Sequence, residues 1–466
     1  MKRIVWITGA AAVAVAVLAA QQHDFYGVIN GQVVIPSLAV PDFRGDGQSQ
    51  NFMTAFNQTL WSDLLSAGIF KMLPKGSYPL NVPQQLTDFK AAPAQNPPQR
   101  RGQAPIPSSG GGMWLSDWSS PPTQANYVTV GYAAVQTNLF VLRGWLVDLS
   151  IPDPANAGAL AKTYLESLDE AGARKAAHEF AADILERFGA KSLFGTRIYF
   201  VRRTGTLKAP VAEIWSMDPD GKNQKQLTHF NDISDFPAIS PDGSRIAFNS
   251  WAHGSPAIFV FSVDPVRDQR FYNQRGASVM ATPSFTPDGK QIVFQSSVGG
   301  CCGVYIANLD GSNVHAITTS RSNDAEPKVN PKTGAEIAFS SGRSGPEQIY
   351  RMNIDGTDVE RLTDGTGEAS NPSWHPDGQF LAYAWTRGYM AGAFNIFVMN
   401  VARRDYIQLT HGEGKNENPS WAPDGKHIVF MSDRTGRPQI WSMLADGSQQ
   451  QQLTSEGSNL RPVWGK

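Results

Sequence analysis

A short run with apolar second and fourth positions recurs through the C-terminal part of the chain. The copies are Arg245-Ile246-Ala247-Phe248, Gln291-Ile292-Val293-Phe294, Glu336-Ile337-Ala338-Phe339, Phe380-Leu381-Ala382-Tyr383 and His427-Ile428-Val429-Phe430. Alternation of this kind predicts a β-strand with one face more deeply buried than the other. Each copy follows a turn: SPDG at 240–243, TPDG at 286–289, NPKTG at 330–334, HPDG at 375–378 and APDG at 422–425. Proline presets φ, aspartate bonds its own backbone, and glycine accepts a positive φ. The prolines at 241, 287, 331, 376 and 423 lie 46, 44, 45 and 47 residues apart.

A second apolar pattern starts six times, at Ile214, Ile258, Val304, Ile349, Ile396 and Ile440. It reads as a strand, usually an Asp-Gly turn, and a short strand ending in Leu-Thr, as at Leu227-Thr228, Leu362-Thr363, Leu409-Thr410 and Leu453-Thr454. Ile317-Thr318 is a variant. Each period then holds four short strands, the size of a propeller blade.

Five turns of the first kind against six of the second pattern point to a split blade. Gly195-Thr196-Arg197-Ile198-Tyr199-Phe200 reads as a second strand without a first. Arg461-Pro462-Val463-Trp464 matches Asn371-Pro372-Ser373-Trp374 and Asn418-Pro419-Ser420-Trp421, a first strand without its blade. The fold class expected is mainly β: a six-bladed β-propeller closed by the C-terminal strand, which hides the edges of its first and last blades.

Upstream the pattern changes. Val33–Ile35 and Leu38–Phe43 read as strands, and Tyr127–Val135 with Leu139–Ser150 as a hairpin turning at Asn138. Phe52, Phe56, Leu60 and Leu64 fall at helical spacing, as do Ala177, Phe180, Ala181, Ile184 and Phe188 within 171–188. Residues 91–112, rich in Pro, Gly, Gln and Arg, have too little apolar surface to pack and predict a mobile surface insertion. The expected organisation is a signal peptide over 1–20, a small α/β domain over 21–191 and the propeller over 192–466.

The signal reading rests on Lys2 and Arg3, the apolar run Ile4–Ala20 and the small residues Ala19 and Ala20 ahead of Gln21. Cleavage after Ala16, Ala19 or Ala20 stays open, and an uncleaved anchor is the rival reading. Charge is nearly balanced, 40 basic against 41 acidic side chains, with no basic tract carrying aromatics. That argues against nucleic acid as a partner and against docking on anionic lipid. The counts of 43 Gly, 31 Pro and 12 Trp fit a turn-rich β protein. The two cysteines, Cys301 and Cys302, are adjacent and read as part of a loop insertion beside glycines; their redox state stays open.

Candidate chemistry is sparse. Asp218, Asp220 and Asn223 resemble the start of a calcium loop but lack its closing acid, so turn chemistry explains them. The string Gly342–Pro346 fails as a nucleophile elbow because its fifth position is proline. His178 reads as a satisfied structural histidine inside a helix. His375 and His411 sit in propeller turns, and with nearby acids they carry the alternative reading, a metal-dependent lyase or hydrolase on the propeller face. No cofactor or metal is expected, and the chain is read as no enzyme. The stronger candidate is a polar ring in the loops that follow each Leu-Thr strand: Asn231, Asp232, Asp235, Asn323, Asp324, Glu326, Asn371, Asn416, Glu417, Asn418, Asn459 and Arg461. Polar loops held by rigid strands suit protein or peptide recognition.

Besides the propeller repeats, the segments Ala39-Val40-Pro41-Asp42-Phe43, 63–70, Tyr127–Gly131, Arg174–His178, Phe194–Ile198 and Arg321–Pro327 carry a family likeness. Through them the chain resembles the TolB family, the periplasmic propellers of the Tol-Pal envelope system. It implies a non-catalytic periplasmic adaptor that supports outer-membrane integrity and constriction during division. The propeller face would bind a Pal-like outer-membrane lipoprotein, with Arg321–Pro327 as one of its loops. The mature N-terminus, within Gln21–Ile35 and through Val28, Ile29, Val33 and Val34, would bind a TolA-like inner-membrane protein. The adaptor would act as a monomer within the complex, without membrane insertion after signal cleavage. The Pro/Gly-rich insertion and the Cys301-Cys302 loop depart from the family pattern.

Overall fold

The computed structural model describes residues 35–92, 109–206, 209–263, 270–272, 276–298, 300 and 302–466. Two compact units divide the described chain after Phe194. Among the described residues, no helix is long and apolar enough to cross a membrane.

The first unit is an α/β layer. Its strands are β1 (Ser37–Ala39), β2 (Arg44–Gly45), β3 (Lys71–Met72), β4 (Tyr127–Gln136), β5 (Leu139–Asp148) and β6 (Gly158–Ser167). They run β3-β1-β4-β5-β6, with β2 also on β4. The expected hairpin is present: Thr137 (φ 50°) and Asn138 (φ 60°) are both left-handed, which matches the twist of the strands they join. Two helices, Met53–Ser66 and Glu170–Arg187, bury Phe56, Leu60, Phe180 and Ile184 against one face of the sheet. Asp169 caps the second helix by accepting the Gly172 N–H at 2.7 Å. β6 escaped the sequence reading because only Tyr164 is buried along it, so its run shows little alternation. Val33 and Val34 lie outside the described residues, and Ile35 is in no strand.

Ser109–Gly112 fall within the insertion expected to be mobile, yet they are held. The Asp117 carboxylate accepts the N–H groups of Gly110 (3.0 Å), Gly112 (2.8 Å) and Trp114 (3.0 Å) and the Ser109 hydroxyl (2.9 Å). Residues 93–108 lie outside the described residues.

The second unit is a six-bladed propeller of four-stranded antiparallel sheets. The blades' first strands are Ser234–Ile239, Met280–Phe285, Asp324–Val329, Ala369–Trp374, Asn416–Trp421 and, for the closing blade, Ser458–Gly465. Each touches the first strand of the next blade, and the last touches the first, so they form the innermost ring. The closing blade joins Ser458–Gly465 to Arg197–Thr206, Ala209–Met217 and Lys225–Gln226. Apolar clusters such as Val293, Phe339 and Tyr350, or Phe380, Phe430 and Trp421, fill the spaces between neighbouring blades.

The Leu-Thr endings have a buried purpose. Thr228, Thr318, Thr363, Thr410 and Thr454 each accept the N–H of the third strand's Ile or Val, at 2.9–3.1 Å. The hydroxyls of Thr363, Thr410 and Thr454 donate to the side-chain amide oxygens of Gln348, Asn395 and Gln439. A hydroxyl suits this place because one group can both accept and donate.

Candidate functional site: the mouth of the propeller ring

In each blade the first and third strands begin on one face and the turns between first and second strands lie on the other. On the first of these faces, every innermost strand carries a one-residue bulge at its third or fourth position. The bulged residues are Phe236, Thr282, Glu326, Asn371, Asn418 and Arg461, with φ of 54°, 51°, 54°, 56°, 52° and 48°. A proline follows every one of them: Pro237, Pro283, Pro327, Pro372, Pro419 and Pro462. A bulge leaves one N–H without a ladder partner, and proline has none to leave. Left-handed φ suits Asn371 and Asn418 but is strained for β-branched Thr282. The result is six rigidly aimed stations around the ring.

Neighbouring stations are tied together. The Glu326 carboxylate accepts the Asn371 N–H (2.6 Å), its Nδ2 (2.5 Å) and the Ser340 hydroxyl (2.9 Å). The Asn371 Oδ1 in turn accepts the Asn418 N–H at 3.2 Å. Arg461 lies over the Phe236 ring, 3.6 Å from its centroid, and forms an ion pair with Asp235. Glu326 and Arg461 are three stations apart in a ring of six, so they face each other across the bore.

Carboxylates gather on the Glu326 side. Glu347 stands just before the third strand Gln348–Asn353, and Glu368 just before the innermost strand Ala369–Trp374. Burial, reinforced by Glu326 and Glu368, pushes the Glu347 carboxyl up to about 7. Burial also raises Glu417, against the opposing pull of Lys415 at 2.9 Å. Lowering Lys328, burial acts against the attraction of Glu326.

The sign of the Glu347 effect is testable. Below about pH 4.5, its ordinary value, the carboxyl is protonated both folded and unfolded. Between that pH and about 7 the unfolded chain ionises while the folded one keeps its proton, so native stability falls as pH rises. Glu347→Gln is expected to be more stable than the native chain at pH 8 by about 1–2 kcal/mol after solvent screening, with the gap closing at pH 4.5. Urea midpoints at the two pH values check this. Equal gaps at both would show that the charge of Glu347 is not the cause.

The structure places the candidate residues differently from the loop reading. Only Asn231, Asp232 and Asn323 are in loops. Asp235, Asp324, Glu326, Asn371, Asn416, Glu417, Asn418, Asn459 and Arg461 lie within the innermost strands, which start three or four residues before the bulge proline. Asp324, Asn416 and Asn459 are fully buried, and Asp235 nearly so. Three of them share one device. The Arg343 Nη2 reaches Asp324 (2.9 Å), the Arg434 Nη2 reaches Asn416 (2.9 Å), and the Arg202 Nε reaches Asn459 (2.9 Å). Each arginine also covers two rings of its own blade, for example Phe339 and Tyr350. These residues hold the blade mouth together.

His375 and His411 do not meet. His411 follows an outer strand on the face that carries the bulge stations, whereas His375 lies in a turn on the opposite face. There its Nε2 is 2.8 Å from the Gly425 carbonyl and its Nδ1 2.7 Å from Asp377. Gly425, at φ 71°, is obligatory: a Cβ would come within 2.6 Å of that Nε2. Asp218, Asp220 and Asn223 form an ordinary turn, with the Asn223 amide donating to Asp218 at 2.6 Å. The His178 Nδ1 is 2.6 Å from Asp63, linking the two helices of the first unit. Val28, Ile29, Val33 and Val34 lie outside the described residues. Glu347 and Glu368 were missed. Their only sequence signal was their recurrence just ahead of an apolar strand start.

Comparison with known proteins places this geometry. The profile of the TolB beta propeller domain matches residues 186–389 and 364–466. A Protein TolB homolog of Chlorobaculum tepidum is 37% identical over 120 residues, 25% of this chain and 26% of the relative. The Tol-Pal system protein TolB of Roseobacter denitrificans is 29% identical over 241 residues, 51% of this chain and 47% of the relative. The chain thus spans about half or less of these relatives' lengths. The crystal structure of TolB from Acinetobacter baumannii superposes with a TM-score of 0.70 at 22% identity, covering 93% of this chain and 97% of that one. That likeness concerns the fold, and the profile match over the propeller settles the relationship: the chain belongs to the TolB β-propeller family.

Proposed function

We propose that the protein is a non-catalytic periplasmic adaptor of a Tol-Pal type envelope system. Its propeller mouth docks a Pal-like outer-membrane lipoprotein, and its mature N-terminus, through Val28, Ile29, Val33 and Val34, engages a TolA-like inner-membrane protein. The linkage would support outer-membrane integrity and constriction during division. The observation that carries the reading is the ring of six bulge stations, whose polar side chains are fixed before any partner arrives. Preorganisation of this kind lowers the entropy cost of association. The Tol-Pal names of the relatives support the choice of system. The two-histidine alternative loses its footing because His375 and His411 are on opposite faces.

The test is the affinity of the mature chain for the purified soluble domain of the cognate peptidoglycan-associated lipoprotein. Saturable binding is expected for the native chain. Charge reversal at the exposed Glu368 (Glu368→Arg) is expected to weaken it about 10–100-fold, the range of an interface hot spot. No binding by the native chain would refute the adaptor reading. An unchanged dissociation constant for the variant would move the contact off the carboxylate side of the mouth.

A further inference from the structure

We propose that the bore of the propeller, one level below the bulge stations, holds a binding site for a carboxylate group, built around the Lys328 ammonium. The level is set by the repeat. Two residues after each bulge, the innermost strands carry Ala238, Ser284, Lys328, Ser373, Ser420 and Val463 in ring order. Lys328, Ser373, Ser420 and Val463 are half-buried, although the residues on either side of each are buried. An innermost strand is backed by its own second strand and flanked by the innermost strands of neighbouring blades. What these side chains still meet is the bore.

The serines of this level share one task. The hydroxyls of Ser284, Ser373 and Ser420 accept the N–H of Val329 (3.2 Å), Trp421 (3.3 Å) and Trp464 (3.0 Å), each in the next blade. Lys328 occupies the same place ahead of Trp374, whose indole Nε1 donates to the Lys328 carbonyl at 2.9 Å. An ammonium has three donors and no acceptor, so it cannot serve the Trp374 N–H as serine does elsewhere. That N–H points inward too, because the ladder bond at this end is made by the next residue, from the His375 N–H to the Phe380 carbonyl. Among the described residues, neither the Lys328 ammonium nor the Trp374 N–H has an acceptor. Two donors thus stand together where three other joints pair a donor with an acceptor.

An anion completes this joint. A charge left unpaired in a narrow, desolvated place is costly. Burial works against the charged form of Lys328 and Glu326 supports it. The Glu326 oxygens, however, are bonded to Asn371 and Ser340. The serine hydroxyls each accept one bond and keep a proton to donate. Donors therefore occupy four consecutive blades, and the remaining arc carries Val463 and Ala238. A carboxylate on an apolar stem suits both arcs. Its oxygens take the ammonium and the neighbouring donors in charge-assisted bonds, and its stem lies against the apolar side. Phosphate offers the first match without the second.

Urea unfolding of the full mature chain, with and without isovalerate, tests the site. Isovalerate is expected to raise the native midpoint with its concentration, as a ligand of the folded state alone must. Acetate, which lacks the branched stem, is expected to bind at least fivefold more weakly, and inorganic phosphate at least tenfold more weakly. In Lys328→Met, which keeps an apolar stem without the charge, isovalerate is expected to leave the midpoint unmoved. Ser373→Ala, expected to weaken isovalerate at least threefold, carries the test should the methionine variant fail to fold. A hexapeptide with a free C-terminal valine separates two sources of the same group. A peptide that displaces isovalerate assigns the site to the end of a polypeptide, and one that does not assigns it to a free acid; Lys328 is required in both cases. No shift by isovalerate in the native chain overturns the proposal. An equal shift in Lys328→Met does so by placing the acid elsewhere, and phosphate binding as tight as isovalerate does so by removing the carboxylate preference.

Discussion

Trp464→Ala is expected to destabilise the propeller by about 3–5 kcal/mol, the usual cost of removing a large buried aromatic side chain. Trp464 is buried in the C-terminal strand, pairs with Ile198 across the closing sheet, and donates from its Nε1 to the Thr196 hydroxyl at 3.0 Å. Its own N–H goes to the Ser420 hydroxyl of the preceding blade at 3.0 Å. One side chain thus joins the last innermost strand to the first strand of the propeller sequence, and its strand to the blade before it. Every other blade is a continuous stretch of chain, so only here does closure depend on segments from the two ends of the propeller. Removing the ring leaves a cavity at the one joint where the blade can separate and expose two strand edges. Thr196→Val, which deletes only the hydrogen bond, is expected to cost about 1 kcal/mol. Urea unfolding of the mature chain measures both. A Trp464→Ala midpoint equal to that of the native chain would mean that the C-terminal strand does not hold the ring.

The same joint shows why the propeller was legible from sequence. Blade repeats are local: a turn, an alternating strand and a Leu-Thr ending recur within each period, and the split blade announces itself as two orphan halves, at 195–200 and 461–464. The bulge stations were written just as plainly, as six prolines at one fixed place in the repeat. The bulge escapes the sequence reading, which takes Glu326, Asn371, Asn418 and Arg461 as polar loop residues, because the left-handed residue before each proline varies: Phe, Thr, Glu, Asn, Asn and Arg. Position carried the information and residue type did not. In the first unit β6 stayed hidden because it is an edge strand with one buried side chain in ten, and the hold on Ser109–Gly112 depends on Asp117, which stands beyond the insertion. Polar composition picked out residues that the fold gathers at one mouth of the ring, but it could not separate residues that meet solvent from those that pair inward. That distinction depends on arginines about 20 residues away, or more than 250 in the closing blade.

Asp324 decides between those two roles. Its carboxylate is fully buried and accepts from Arg343 Nη2 (2.9 Å), the Ser341 hydroxyl (2.5 Å) and the Ser320 hydroxyl (3.0 Å). Asp324→Ala removes the acceptor and leaves the Arg343 guanidinium, itself only 22% exposed, without its counter-charge. The expected cost is about 3–5 kcal/mol, as for breaking other buried pairs from one side. Asp324→Asn is expected to cost only about 1 kcal/mol, because the fifth and closing blades place Asn416 and Asn459 at the same station against Arg434 and Arg202. The protein thus contains its own precedent for the milder substitution. If Asp324 is architectural, folded Asp324→Asn should bind the lipoprotein domain with the native affinity, while Asp324→Ala should lose stability and binding together. A Asp324→Asn variant that keeps its urea midpoint yet binds at least tenfold more weakly would return Asp324 to the contact surface. The buried arginine lock would then be secondary to recognition at that station.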